Sequence, residues 1–157
     1  MSGRRRWLWG AVAAVAVAFV ALLTWWATTD TRSGSSSDCA VVEDVARQWN
    51  DNSAAVRNTL LNGGGRPEDY RTVADRQQQM ADTLRAAVDS VEAVAIKDEL
   101  DRWADGAEKF AALQRSAAEA QGAQARPSDA DFETVARLMN EAAVALSEQC
   151  PAMPSAE

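Results

Sequence analysis

A chain of 157 residues with a net charge of −7 allows one modest domain plus an accessory segment. Arg4, Arg5 and Arg6 precede an apolar run and all acidic residues lie at or after Asp30, so 13 basic residues face 23 acidic ones beyond the run, a net of −10. Such a surface repels nucleic-acid phosphates, and the absence of histidine excludes Ser–His–Asp and Cys–His nucleophiles and Glu-x-x-His metal ligands.

In chain order, residues 1–6 form a short basic segment expected in the cytoplasm. From Trp7 to Thr29 there are 23 positions without a charge. About 20 suffice to cross a hydrocarbon core of ~30 Å, whereas the apolar region of a cleaved signal is usually ~7–15 residues. Trp7 and Trp9 stand at one end of the run and Trp25 and Trp26 at the other. The outermost pair would be about 28 Å apart along a helix, which matches two interfacial aromatic belts. The run is therefore expected to be a retained transmembrane helix over 7–29, with Arg4, Arg5 and Arg6 holding the N-terminus inside. GRRRWL resembles the start of a twin-arginine export signal, and a triple-Arg flank of an anchor accounts for it equally well. Cleavage would release an exported protein, but Trp25 and Trp26 directly before Ala27 fit a small-residue cleavage site badly.

Residues 30–37, within TTDTRSGSSS, read as a flexible linker. From 38 to 150 the apolar residues recur at steps of three and four. Val42, Val45, Trp49, Val56 and Leu60 form one stripe, with Asn52 in its gap. Tyr70, Val73, Met80, Leu84 and Val91 form a second, with Gln77 in its gap. Ile96, Leu100, Trp103, Ala107 and Phe110 make a third; Phe132, Val135, Met139, Ala142 and Leu146 make a fourth. Each is a seam of the kind that bundle helices bury. NGGGRP ends the first helix and starts the second with Pro67. Ser128 and Asp131 read as a capping pair, and Pro151 stops the fourth helix. The boundary near Ser90 is the weakest, and a single helix over ~68–121 is the alternative there. Residues 151–157 are expected to be a disordered tail.

Cys39 and Cys150 bear on that boundary. In an up-down-up-down bundle they lie at the same end. With three helices they would be ~30 Å or more apart, far beyond the ~7 Å that a disulfide spans between Cα atoms. A bridge between them is expected, and it requires a reversal near Ser90. The fold class expected is all-α: one N-terminal transmembrane helix followed by an extracytoplasmic antiparallel four-helix bundle.

The remaining motifs are chemically thin. SDADFETVARLMNE alternates acids like a calcium loop but lacks the central Gly and has Asn140 at the twelfth position. GGGR follows a helix and reads as a turn. Glu99 or Asp98 with Arg102 reads as a solvated ion pair. Asn52 and Gln77 are expected to form a polar core layer that sets register or, with Trp49 and Trp103, to line a pocket. No cofactor, metal or enzymatic activity is expected. The composition, with 14 arginines to two lysines, resembles that of high-GC actinobacterial chains. In general architecture only, residues 38–150 resemble the periplasmic four-helix sensor modules of bacterial receptors, without an output domain or a second membrane segment. That resemblance implies a small molecule held between helices. The expected function is a single-pass, membrane-anchored, non-enzymatic interaction or scaffold module of the cell envelope, with an envelope protein as partner.

Overall fold

The computed structural model describes residues 35–120 and 127–155. Four helices run in order: α1 (Ser36–Gly63), α2 (Pro67–Ser90), α3 (Val94–Glu119) and α4 (Asp129–Gln149). No strand occurs among the described residues. Successive helices are antiparallel, as the cross-helix contacts require. Arg85 on α2 reaches Asp105 and Glu108, while Gln78, one end further back, meets Arg115. Between α3 and α4, Arg102 pairs with Glu141 and Phe110 packs edge-on against Phe132 at 5.6 Å. The described part of the chain is a four-helix bundle. The transmembrane helix expected over 7–29, with its four tryptophans and three arginines, lies outside the described residues. No helix among the described residues is long and apolar enough to cross a membrane.

Local chemistry accounts for the helix ends. The Ser35 hydroxyl caps α1 by accepting the Asp38 N–H, so the helix begins inside the stretch read as linker. Gly64 and Gly65 adopt φ of 79° and 72°, a left-handed turn that residues with a Cβ resist. Pro67 then opens α2, where its missing N–H costs nothing. Ser128 and Asp131 form the expected capping box: the Asp131 N–H donates to the Ser128 hydroxyl, and the Ser128 N–H to the Asp131 carboxylate. This places the acidic stretch considered as a calcium loop inside the first turns of α4.

The boundary near Ser90 is real. α2 ends there and α3 resumes at Val94. Cys39 and Cys150 are joined, with their Cα atoms 5.2 Å apart. The apolar core fills the half of the bundle next to this bridge, where Val42, Leu84, Ile96, Leu100 and Leu146 are fully buried. Burial of such side chains contributes roughly 1.5–3 kcal/mol each. Toward the opposite end the buried apolar side chains are mostly smaller, Val56, Val73, Ala74, Ala111, Ala117, Ala118 and Val135, and they are joined by Asp69 and two glutamines, Gln77 and Gln114. α3 and α4 approach closely at Gly106, where any Cβ would run into the Met139 side chain.

The tail expected to be disordered is ordered through Ser155. The bridge pins Cys150, and the Met153 N–H donates back to the Cys150 carbonyl at 2.9 Å. Met153 packs on the core, and the Asn50 amide donates to the Ser155 carbonyl at 3.1 Å. An apolar side chain three residues past a covalent anchor has little chain entropy left to lose by docking.

Candidate functional site

Two neighbouring residues in the first turn of α1 tie one end of the bundle together. Cys39 holds Cys150, just past α4. Asp38, only 2% exposed, accepts the backbone N–H groups of Glu92 and Ala93 at 3.1 and 3.0 Å. The α2–α3 link has no side-chain cap of its own, so a carboxylate from α1 supplies it. The negative charge sits at the N-terminal ends of α1 and α3, where helix dipoles favour it. Burial by itself would raise the Asp38 pKa. The hydrogen bonds from Ala93 and Glu92, with Ser35 and the charge of Lys97, outweigh burial and hold the pKa below its usual value.

α1 packs on α2, α2 on α3, and α3 on α4, but the α1–α4 seam is not closed in the same way. Between these two helices lies a cavity of about 440 Å³. Trp49 of α1 and Trp103 of α3 form its floor, with ring centroids 4.9 Å apart and planes tilted by 52°. Trp103 is buried and Trp49 partly so, and their contact is of the tilted kind that aromatic quadrupoles favour. Ala46 on α1 and Ala136 and Ala143 on α4 keep the walls low, and the tail residues Met153 to Ser155 close one side. No Asp, Glu, Lys or Arg lines the cavity. It therefore offers no titratable group for acid–base work.

The four residues read from the sequence as a polar layer or a pocket separate into two places. Trp49 and Trp103 meet in the α1–α4 cavity. Asn52, three residues beyond Trp49, is rotated about 60° around the helix axis and faces a cleft of about 260 Å³ between α1 and α2, beside Arg76, Gln79 and Met80. Gln77 is buried at that same level. The Arg115–Gln78 contact places Gln114 of α3 there as well. Gln114 was not singled out in the sequence, although it continues the third stripe one step of four beyond Phe110. Among the described residues, no protein group meets Asn52 Nδ2, Gln77 Oε1 or Gln114 Oε1, all of them buried. These atoms do not pair with one another, and Gln114 also lines a separate cleft with Tyr70, Ala117 and Phe132. The Glu99–Arg102 pair is present at 2.8 Å on the surface, where such pairs contribute little.

The architecture defines the class: a disulfide-closed, antiparallel four-helix bundle with one open, uncharged seam. No protein family, curated sequence or solved structure matches the chain.

Proposed function

We propose that this protein is a single-pass, membrane-tethered, non-enzymatic interaction or scaffold module of the cell envelope. Its bundle stands on the extracytoplasmic side, and its partner is an envelope protein. The observation that carries the reading is the Cys39–Cys150 disulfide following a Trp-bracketed, uncharged run of 23 residues. Such bonds persist in oxidising compartments, and three arginines before the run favour a cytoplasmic N-terminus. Residues 1–6 would then be cytoplasmic, 7–29 the anchor, and the helical body would start a few residues beyond the membrane. Asp38 and Cys39 lock one end of that bundle. The cavity lining without a titratable side chain supports a binding role over a catalytic one.

Alkaline carbonate washing of membranes from producing cells tests the tether. The expected result is a full-length chain retained in the membrane pellet, with the bundle accessible to an external protease. A shortened, soluble chain beginning near Asp30 would replace this reading with that of an exported protein released after cleavage.

A further inference from the structure

We infer that the α1–α4 cavity is a binding site for an uncharged, largely apolar small molecule with an aromatic or short aliphatic body. The inference is independent of whether the chain is tethered. Its first support is the manner in which the seam is left open. Three helix pairs are closed, and the fourth carries Ala46, Ala136 and Ala143 at wall positions where Leu or Met would have filled the gap. Native interiors are close-packed. The space of about 440 Å³ falls within the range of ~300–1,000 Å³ typical of small-molecule sites.

The second support is charge. A quarter of the chain is charged and the portion beyond the apolar run has a net of −10, yet no ionised side chain reaches this lining. A charged ligand would lose its hydration there without a counter-ion, which is costly. An uncharged one would cover Trp49 and the half-exposed Val144 at the rim, and covering apolar surface is favourable by roughly 25 cal/mol per Å². On the α4 wall the Asn140 amide is placed to donate to a ligand carbonyl, and the Ser147 oxygen, whose own O–H goes to the Val144 carbonyl, to accept from a ligand hydroxyl.

The third support is the tail. Met153 already packs here, and Asn50 already holds a carbonyl oxygen, that of Ser155. An apolar body and a neutral hydrogen-bond acceptor are thus both accommodated by the same walls. The tail, pinned by Cys150, covers one flank and leaves the space above the two indoles open.

Photolabelling of the full chain in lipid nanodiscs is the test, with a diazirine-bearing benzyl alcohol as the probe. The corresponding benzoate and benzylammonium serve as charged controls. Peptide mapping is expected to place saturable label around Ala46–Asn50 and Met139–Ser147. The neutral probe should label these segments about tenfold more than either control, a difference of ~1.4 kcal/mol. Ala143→Phe fills the cavity from its wall and should abolish this label while the disulfide and helix content persist. Should that variant fail to fold, Ala136→Phe, at a solvent-exposed position, makes the same test from the rim. Label spread evenly over the bundle, equal labelling by the charged probes, or label undiminished in a folded filled variant would each overturn the assignment.

Discussion

The Asp38 carboxylate accepts the backbone N–H of Ala93 at 3.0 Å, across 55 positions of the chain. Its other oxygen takes the N–H of Glu92, so one side chain from the first turn of α1 satisfies the bend between α2 and α3. That bend is what turns a possible long helix into two antiparallel ones. It also brings the end of α4 back to Cys39.

Removal of this carboxylate should therefore loosen the bend first. Asp38→Ala strands two backbone donors, and each buried orphan costs about 1–3 kcal/mol. The expected outcome is a lower denaturation midpoint with helix content retained, and faster amide exchange at Glu92 and Ala93. Unchanged exchange there would show that the bend holds itself.

The same residue sets an acid limb. Its folded pKa lies below the ordinary 3.8, because the hydrogen bonds from Ala93 and Glu92 outweigh burial, which acts the other way. A depressed carboxylate contributes stability that is present above its unfolded pKa and lost as pH falls through the folded one. Urea denaturation followed from pH 6 downward should show a drop confined to the region below about pH 4, and Asp38→Asn should flatten it. An equal slope in the variant would assign the acid loss to other carboxylates.

The disulfide closes a loop with a sequence separation of 111. By the loop-entropy account it contributes about 4–5 kcal/mol. Cys39→Ser with Cys150→Ser should lower unfolding stability by up to that amount while the far-UV spectrum stays helical. Non-reducing peptide mapping of the natural chain should yield a linked 39–150 pair in a monomer. Free thiols throughout, or a covalent dimer alone, would contradict the bridge.

Gln77 is expected to behave unlike an ordinary core residue. Its buried Oε1 meets no partner among the described residues, so Gln77→Leu strands no such partner and removes an unsatisfied acceptor. Stability should stay level or rise by up to ~1–3 kcal/mol. A clear loss in thermal denaturation would mean that the amide is engaged in solution and that the polar level helps to hold register.

Much of the bundle was legible because its signals are local. Apolar residues at steps of three and four mark a buried face on a single helix, whatever lies opposite it. Gly64 and Gly65, Pro67, Ser128 with Asp131, and Pro151 punctuate the helices by their own backbone chemistry. The expected pairing of Cys39 with Cys150 itself argued for the reversal near Ser90, since only an even number of antiparallel helices returns the chain to its starting end. The reversal near Ser90 was harder to read because its cap comes from Asp38, far away in sequence and indistinguishable there from a solvated acid at a helix start.

The partners around the candidate site belong to the other kind of information. Trp49 and Asn52 sit on one stripe, yet a rotation of about 60° sends one to the α1–α4 cavity and the other to the α1–α2 cleft. Gln114 joined the polar level only through the register of α2 against α3. The tail, short and placed after Pro151, carries no helical periodicity of its own, and it is held because the bridge and Asn50 hold it. The amino-acid sequence by itself determined the buried faces of the helices, most of their ends and the two cysteines available to join them, since these depend on neighbours within a turn or two, whereas the reversal near Ser90 waited on Asp38. Which seam stayed open, which acid was buried and what closed the cavity were decided only when four helices packed at once, because each depends on the relative rotation and height of helices that no single segment encodes.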